Sequence, residues 1–291
     1  MHARRYQQTL AQPARISGYG YWSGRDVNVE FLPAEPDTGV VFVRRDLHPA
    51  ARIPALVTSR IETPRRTTLR SPRGSVEMVE HILAALSGLQ IDNCEVSVDA
   101  PEMPGCDGSS QPFVDVLLAA GIARQNAGRT QLIVREITRL GDEDSWIEAR
   151  PAASGSLSIK YRLDYGRDNA IGRQTLALTV SPDTFQRELA PSRTFMLKAE
   201  ADWLRAQGLG LRPTSQDLLV FDERGPIENE LRYADECVRH KMLDLVGDFA
   251  LAGCDVVGHF VAHRSGHRLN AELIRVLLSE GELVRGWRRT A

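Results

Sequence analysis

His240 and Asp244 are the residues whose spacing most directly suggests chemistry, because they lie four positions apart in the segment HKMLDLVGD. On a helix, that spacing places both side chains on one face. An imidazole nitrogen and a carboxylate oxygen presented together can bind one metal ion. Asp248 extends the same face by one turn. The motif leaves a second interpretation open, in which His240 and Asp244 only share a hydrogen bond on a helix surface.

A second candidate is the adjacent pair Glu80 and His81 in the segment VEMVEHILAAL. The histidine could supply another metal ligand, and the carboxylate beside it could act as a general base. Glu77 lies four residues before His81, so spacing alone does not distinguish the two glutamates. A charged, exposed corner of an amphipathic helix would have the same pattern.

His267 is a third candidate, because it follows Gly266 in what we expect to be a loop between a strand and a helix. Loops on a rigid scaffold often carry reacting groups, and imidazole titrates near neutral pH. His267 could therefore be a general acid. His259 and His263 lie on the preceding strand, where at least one could simply be packed. If His267 is not the acid, Lys241 and His263 are the next candidates.

Two histidines and one aspartate, His81, His240 and Asp244, would form a three-ligand site with an open position. That arrangement is typical of catalytic rather than structural zinc sites. Such a site makes water more acidic, toward a pKa of about 7. A glutamate could then accept the water proton, while a protonated histidine stabilises the oxyanion or protonates the leaving amine. Zinc, ferrous iron and cobalt all suit these ligands.

The elements that must position these residues are short strands and a few helices. Apolar residues at helical spacing predict a helix over 76–89, with Ser75 as its N-cap. The second half predicts a long helix over 236–253 and a strand over 254–263. A final helix is expected over 270–281.

The two halves of the chain predict the same layout, in which strands are followed by a helix, a strand, a loop and a helix. His81 precedes Gly88 by seven residues, and His240 precedes Gly247 by seven. We interpret this as an internal duplication with its boundary near 125–130. The fold class would then be α+β, with two similar domains packed face to face as a sandwich. Each domain would be a sheet layered against helices, and the active site would lie between them.

We expect the first α+β domain to span 1–128 and to contribute Glu80 and His81. The second would span 129–291 and contribute the other candidates, His240, Asp244 and His267. Chance similarity between two α+β halves is the alternative interpretation.

Composition narrows the classes of protein further. The chain has 291 residues, a length suited to two domains, and 36 basic against 38 acidic residues. That balance argues against a nucleic-acid binder, so the local basic run PRRTTLRSPRG is expected to be a solvated loop. We expect neither a signal peptide nor an integral membrane segment, and none of the four cysteines forms a CxxC pair. These features predict a cytoplasmic protein.

Five segments together resemble the UDP-3-O-acyl-N-acetylglucosamine deacetylases, the zinc amidases of lipid A biosynthesis in Gram-negative bacteria. They occur in the family's order, and recognisable similarity runs from RISGYGYWSG to LIRVLL. The segments are SVEMVEHILAALSGLQIDN, APEMPGCDGSSQPFV, SRTF, VRHKMLDLVGD and SGHRLN. The resemblance implies zinc-dependent hydrolysis of the N-acetyl group of UDP-3-O-acyl-N-acetylglucosamine, with release of acetate.

The resemblance also implies a role for each matching residue. His81, His240 and Asp244 correspond to the zinc ligands. Glu80, rather than Glu77, corresponds to the general base.

The resemblance implies further catalytic roles in the second half. His267 corresponds to a cationic acid, and Asp248 to the carboxylate that orients it. Thr194 corresponds to a hydroxyl near the polarised amide oxygen, and Phe195 to an aromatic residue of the pocket. Lys241 corresponds to a lysine that contacts the polar head of the substrate.

Arg264 corresponds to a basic position implicated in diphosphate binding. The family fold has two similar α+β layers, each with an insert, which correspond here roughly to 43–68 and 194–222. The second insert is expected to form a hydrophobic passage for the acyl chain. We expect a monomer that binds a UDP-linked acylated amino sugar and no nucleic acid, with zinc as the cofactor and ferrous iron as the alternative metal in the cell.

Two segments depart from the family pattern. Tyr21 and Trp22 stand where the family usually has an aliphatic residue and a histidine, and GLGLRPTSQDLLVF at 208–221 lacks the usual double glycine. These departures leave the acyl-chain preference and nucleotide recognition open. The alternative function is a non-catalytic or divergent relative that binds another acylated amino sugar.

Overall fold

A computed structural model describes residues 5–152 and 155–286 of the chain. In the first half, a 3-10 turn at Val57–Ser59 separates the first five strands from the next three. The elements are β1 (Tyr6–Leu10), β2 (Ala14–Tyr19), β3 (Asp26–Pro33), β4 (Val40–Arg44), β5 (Ala51–Pro54), β6 (Arg60–Ile61), β7 (Thr68–Ser71), β8 (Gly74–Glu77), α1 (Glu80–Gly88), β9 (Cys94–Val98), α2 (Gln111–Ala120) and β10 (Ile122–Gly128).

Over residues 131–152 and 155–286, the described part of the second half contains nine strands and four α-helices. A π-helical turn, Phe185–Leu189, follows α3, and a 3-10 turn, Ala250–Ala252, follows α5. The elements are β11 (Gln131–Ile133), β12 (Thr138–Gly141), β13 (Trp146–Arg150), β14 (Leu157–Asp164), β15 (Arg173–Val180), α3 (Pro182–Thr184), β16 (Phe195–Leu197), α4 (Lys198–Ala206), β17 (Leu219–Phe221), α5 (Glu236–Phe249), β18 (Asp255–His263), α6 (His267–Glu280) and β19 (Glu282–Val284).

The main sheets of the two halves have the same strand order and directions. The first runs β2-β3-β9-β4-β5, and the second contains β12-β13-β18-β14-β15. In both sheets the third and fourth strands are parallel, and the other neighbours are antiparallel. The expected α+β class is confirmed. The shared order supports the duplication, and a domain boundary near 125–130 remains our proposal.

The sheets present one apolar face to the helices. In β3, Val27, Val29 and Phe31 are buried and alternate with more exposed residues. This period-two pattern is expected of a strand with one face against a core. The core includes residues of both halves, among them Phe42 and Phe260.

Helices α1 and α5 pack directly against each other at the centre of the molecule. In α1, every residue except Ser87 is buried, so the helix is covered on nearly all sides, and its buried residues include the polar Glu80 and His81. Gly247 of α5 lies where a Cβ atom would be 2.2 Å from the carbonyl oxygen of Glu80. The two helices therefore cross closely enough for residues of one to meet residues of the other.

The predicted start of the first long helix is wrong. Residues 74–77 form β8, Met78 has a positive φ of 57°, and α1 begins only at Glu80. Ser75 is therefore a strand residue, not an N-cap. The backbone of Glu77 bonds to Pro101 and Met103 instead of continuing a helix. Val76 and Val79 match helical spacing, but tertiary pairing decides their conformation.

Two further expectations need correction. His267 is the first residue of α6, with Gly266 as the N-cap, rather than a loop residue. The insert expected near 43–68 overlaps β4 and β5, which belong to the main sheet. The segment outside the repeated strand order is 57–77, which contains the sheet β6-β7-β8.

The second insert also interrupts the chain between the fifth strand and the central helix of its half. It contains α4 and the parallel pair β16 and β17, within the expected range 194–222. None of the helices in the described part of the chain is long and apolar enough to cross a membrane.

Candidate metal centre and active site

His81, His240 and Asp244 bring their possible ligand atoms together at the crossing of α1 and α5. These atoms all lie within 4.8 Å of one another. Asp244 Oδ1 is 3.3 Å from His240 Nε2 and 3.6 Å from His81 Nε2. All three residues are buried, with at most 5 % exposure. The two histidines come from different halves of the chain, which only the crossing of the helices brings together.

The protonation states of His240 and Asp244 suit a metal ion. Burial lowers the pKa of His240 to about 4, so its imidazole is neutral at pH 7. His240 Nδ1 lies 3.1 Å from the carbonyl oxygen of Ser192 and can donate to it, which leaves Nε2 with its lone pair toward Asp244. Burial alone would raise the pKa of Asp244, but its interactions with His240 and Lys241 hold that pKa well below the usual value. Two imidazoles and a carboxylate fit a zinc or ferrous ion.

Glu80 is the first residue of α1 and directly precedes His81, one of the three candidate metal ligands. Its Oε2 accepts a hydrogen bond from the backbone N–H of Thr67, 3.0 Å away. Burial raises the pKa of Glu80, although His267 and His81 oppose that effect. Glu77 instead pairs with Arg66 at 2.8 Å and does not line the cavity that Glu80 faces.

His267 is held by a buried carboxylate. Its Nδ1 lies 2.8 Å from Asp248 Oδ2, which also accepts from Asn270, while Thr67 donates to Oδ1. Burial alone would lower the pKa of His267, but the charge and hydrogen bond of Asp248 outweigh it and raise the pKa to about 9. His267 is therefore a cation at pH 7, with Nε2 left as a proton donor.

Lys241 lies one residue after His240 and donates to Asp244 Oδ2 at 2.7 Å. Burial would lower the pKa of Lys241, but the charge of Asp244 outweighs it and the pKa is raised. The lysine therefore stays cationic. Because Lys241 binds Oδ2 of Asp244, Oδ1 remains free to face His81 and His240.

Thr194 and Phe195 are positioned by a buried ion pair that sequence reasoning missed. Arg193 donates to Glu236, the first residue of α5, through both its backbone N–H at 3.0 Å and its Nε at 2.8 Å. This pair fixes the SRTF segment against α5. The ring of Phe195 lies edge-on to that of His240, with 6.2 Å between centroids.

These side chains line one cavity of about 470 Å³, which we call the central cavity. Its polar side is formed by Glu80, His81, His240, Lys241, Asp244 and His267. Its apolar side is formed largely by the second insert, through Phe195, Met196, Ala201, Leu204, Leu218 and Val220.

Comparison with known proteins identifies the family to which the chain belongs. The family model described as UDP-3-O-acyl N-acetylglycosamine deacetylase matches residues 7–279. The chain belongs to the UDP-3-O-acyl-N-acetylglucosamine deacetylase family. A protein of that name from Haemophilus influenzae (strain 86-028NP) is 40 % identical over 280 residues, which cover 95 % of this chain and 91 % of the relative. Another, from Syntrophus aciditrophicus (strain SB), is 37 % identical over 278 residues, covering 95 % and 87 %.

The remaining candidate residues of this deacetylase-family chain, Arg264, His259 and His263, lie outside the central cavity. Arg264 is exposed and does not line the central cavity, whereas Arg268, which the sequence analysis passed over, does. His259 lies 2.9 Å from the hydroxyl of Ser158, and His263 packs near Trp146. Neither histidine lines the central cavity.

Other residues beside the central cavity carried no sequence signal of their own. Thr67 contacts both Glu80 and Asp248, although it lies within a basic run expected to be a solvated loop. Arg65 of the same run pairs with Glu200 of α4 at 2.5 Å, so the two inserts touch beside the cavity. In the sequence, the segment PRRTTLRSPRG shows only clustered arginines, and this pattern does not indicate which of its residues contact the site.

The two segments that depart from the family pattern contact each other. The hydroxyl of Tyr21 donates to the carbonyl oxygen of Asp217, 2.5 Å away. Arg212 donates to the carbonyl oxygen of Gly24 at 2.9 Å. Both Tyr21 and Trp22 line the central cavity.

Proposed function

We propose that this chain hydrolyses the N-acetyl group of UDP-3-O-acyl-N-acetylglucosamine in lipid A biosynthesis. One water is consumed, the amide C–N bond breaks, and acetate and the free amine of the sugar are released. The observation that supports the proposal is that three side chains able to hold a metal ion, a buried glutamate and a cationic histidine meet in one cavity of a chain of this family.

The metal is proposed to be held by His81, His240 and Asp244. Zinc is our proposal for its identity, with ferrous iron as the alternative. When bound, such an ion supplies a Lewis acid that polarises a carbonyl and makes water more acidic.

Glu80 is proposed as the general base. Its burial raises its pKa, which makes the carboxylate a better proton acceptor near neutral pH. The backbone N–H of Thr67 leaves its other oxygen available to water. As water attacks the amide carbon, Glu80 takes the proton.

His267 is proposed as the cationic acid. Its pKa of about 9 keeps it protonated at pH 7, so it can stabilise the oxyanion and then protonate the leaving nitrogen. Asp248 is a positioning residue, because it contacts the imidazole rather than the cavity. Thr194 is proposed to lie near the polarised amide oxygen, and Lys241 to contact the polar head of the substrate. Phe195 is proposed as an apolar contact for substrate.

Arg264 is proposed as the basic residue that binds the diphosphate. It does not line the central cavity, whereas Arg268 does. The apolar side of the central cavity is proposed to receive the acyl chain, because each methylene group that leaves water for an apolar lining stabilises the complex.

The proposal is tested by measuring acetate release from UDP-3-O-acyl-N-acetylglucosamine. Protein stripped of metal should be inactive and should recover on addition of one equivalent of zinc or ferrous ion. His240→Ala should lose tight stoichiometric metal together with activity, because it removes a ligand. Metal bound in His240→Ala as tightly as in the unmodified chain would contradict the site. Metal-loaded protein that releases no acetate would favour the alternative of a binding protein or divergent relative.

A further inference from the structure

Tyr21 is a first-half side chain that lines the central cavity while remaining only 8 % exposed. It lies in the turn between β2 and β3. The backbone N–H groups of Trp22 and Ser23 donate to the carboxylate of Glu102, at 2.7 and 2.8 Å, and Glu102 is itself 4 % exposed. Buried charge-assisted hydrogen bonds of this kind hold the turn firmly.

The ring of Tyr21 is held in place from two sides. A Cβ atom at Gly105 would lie 2.0 Å from the ring, so the ring occupies the space that this glycine leaves. At the other end, the hydroxyl lies 2.5 Å from the carbonyl oxygen of Asp217 and 3.1 Å from that of Cys106. A buried hydroxyl without an acceptor is costly, so the ring cannot turn aside without losing these partners.

The partner of Tyr21 is the segment 208–218 of the second insert. Arg212 anchors this segment on the same turn, through Gly24 O at 2.9 Å and Asp26 at 2.7 Å, and its guanidinium lies 3.9 Å from the ring centroid of Tyr19. The segment lines the central cavity through Leu209, Gly210, Pro213, Thr214 and Leu218. The turn and the segment therefore form one wall with contributions from both halves of the chain.

We propose that Tyr21 is a specificity-determining residue, whose fixed ring closes this wall and limits the length of the acyl chain that the central cavity accepts. The inference rests on the proposed function, because it assigns the apolar side of the cavity to the acyl chain. Each buried methylene contributes about fourfold to affinity. A chain that meets the ring loses that gain for each methylene group beyond the contact.

The direct test is Tyr21→Leu, which removes the ring but keeps an apolar side chain. The substrates are UDP-3-O-acyl-N-acetylglucosamines whose chains increase by two methylenes at a time, and the quantity measured is kcat/KM. For the chain two methylenes beyond the optimum of the unmodified protein, the ratio to the optimum should rise about tenfold or more. This ratio is internal to each variant, so a partly folded or partly metal-loaded sample does not change it.

Tyr21→Phe separates the ring from its hydroxyl. It should keep the same optimal chain, because the ring remains. An optimum that moves equally in Tyr21→Phe and Tyr21→Leu would overturn the proposal that ring volume sets the limit. Tyr233→Phe is the matched control for loss of a hydroxyl, since Tyr233 donates to the carbonyl oxygen of Arg187 outside the central cavity.

Arg212→Ala provides a second test that does not disturb the core, because its side chain is 46 % exposed. Loosening the segment should reduce discrimination against the longer chain, whereas Arg187→Ala, at an exposed ion pair outside the cavity, should not. An unchanged ratio in Arg212→Ala, or an unchanged profile in folded Tyr21→Leu, would overturn the proposal. Absence of acetate release from every chain length would instead contradict the proposed function.

Discussion

Two ionisable side chains at the site have pKa values raised for different reasons. In Glu80, burial disfavours the anion, and the positive neighbours only partly offset it. In His267, burial disfavours the cation, but Asp248 reverses the direction. A base that binds protons more readily and an acid that keeps its proton above pH 7 are the combination that amide hydrolysis requires.

At the residue scale, we predict that Glu80→Gln retains the metal but loses most of the activity. A positioned general base contributes about 10²–10⁴ in rate, so kcat should fall by that order. Metal analysis and acetate release would measure both quantities. Glu77→Gln is the matched control, because Glu77 pairs with Arg66 rather than facing the central cavity. Greater damage from Glu77→Gln than from Glu80→Gln would refute the assignment of the base.

Asp248→Asn should move the alkaline limb of the pH–rate profile to lower pH. In the unmodified chain, His267 has a pKa of about 9, above the ordinary 6.5, so activity should fall as pH rises through that region. Without the carboxylate, burial is left to lower the pKa, and His267 loses its proton earlier. The measurement is kcat/KM against pH, with exposed Asp115→Asn on α2 as the control. An alkaline limb in the same position would mean that another group is the acid.

At the scale of elements, the site depends on the close crossing of α1 and α5. Gly247 lies against the carbonyl of Glu80, the residue directly before His81. The crossing therefore sets the distance between the two histidines, whose ring centroids are 5.1 Å apart. Neither helix holds the complete set of metal-ligand candidates by itself.

Gly247→Ala should destabilise the protein, although glycine to alanine within a helix ordinarily stabilises by about 0.5–1 kcal/mol. The added Cβ would lie 2.2 Å from backbone, so the helices must separate, at an expected cost of about 1–3 kcal/mol. Chemical denaturation measures this change, and metal affinity should fall with it. Ser279→Ala, at an exposed position of α6, should not destabilise. An increase in stability for Gly247→Ala would show that the crossing yields easily.

At the scale of the whole molecule, a charged network joins Arg5, the residue before β1, to the second half. Asp92 is 4 % exposed and pairs with Arg5 at 2.6 Å and Arg129 at 2.9 Å. Arg5 and Arg129 also reach Asp255, at the start of β18. These contacts complement the α1–α5 crossing in holding the two halves together.

Asp92→Ala should destabilise by about 3–5 kcal/mol, because it leaves Arg5 and Arg129 without their most buried partner. The control is Lys198→Ala, whose partner Asp202 and whose own side chain are both more than half exposed, so that pair is worth about 0–1 kcal/mol. Denaturant unfolding compares the two. A cost for Asp92→Ala no larger than that for Lys198→Ala would show that the network contributes little to joining the halves.

The sequence by itself determined what depends on local spacing. The four-residue interval of His240 and Asp244 places them on one face of α5, and Asp248 follows one turn later, because helix geometry is set by the backbone. The resemblance of the motifs indicated the family, which the comparisons confirm. The roles of the individual site residues remain predictions.

Only the tertiary structure decided what depends on contacts distant in sequence. Glu77 lies four residues before His81 and Glu80 lies directly before it, so spacing left both open as the base. Because Glu77 pairs in strand β8, α1 begins only at Glu80. His81 meets His240 only because α1 and α5 cross, and Tyr21 reaches Asp217 only because the second insert folds back on the first half. Periodicity reports which face a side chain occupies, whereas the element that covers that face is selected by packing of the whole chain.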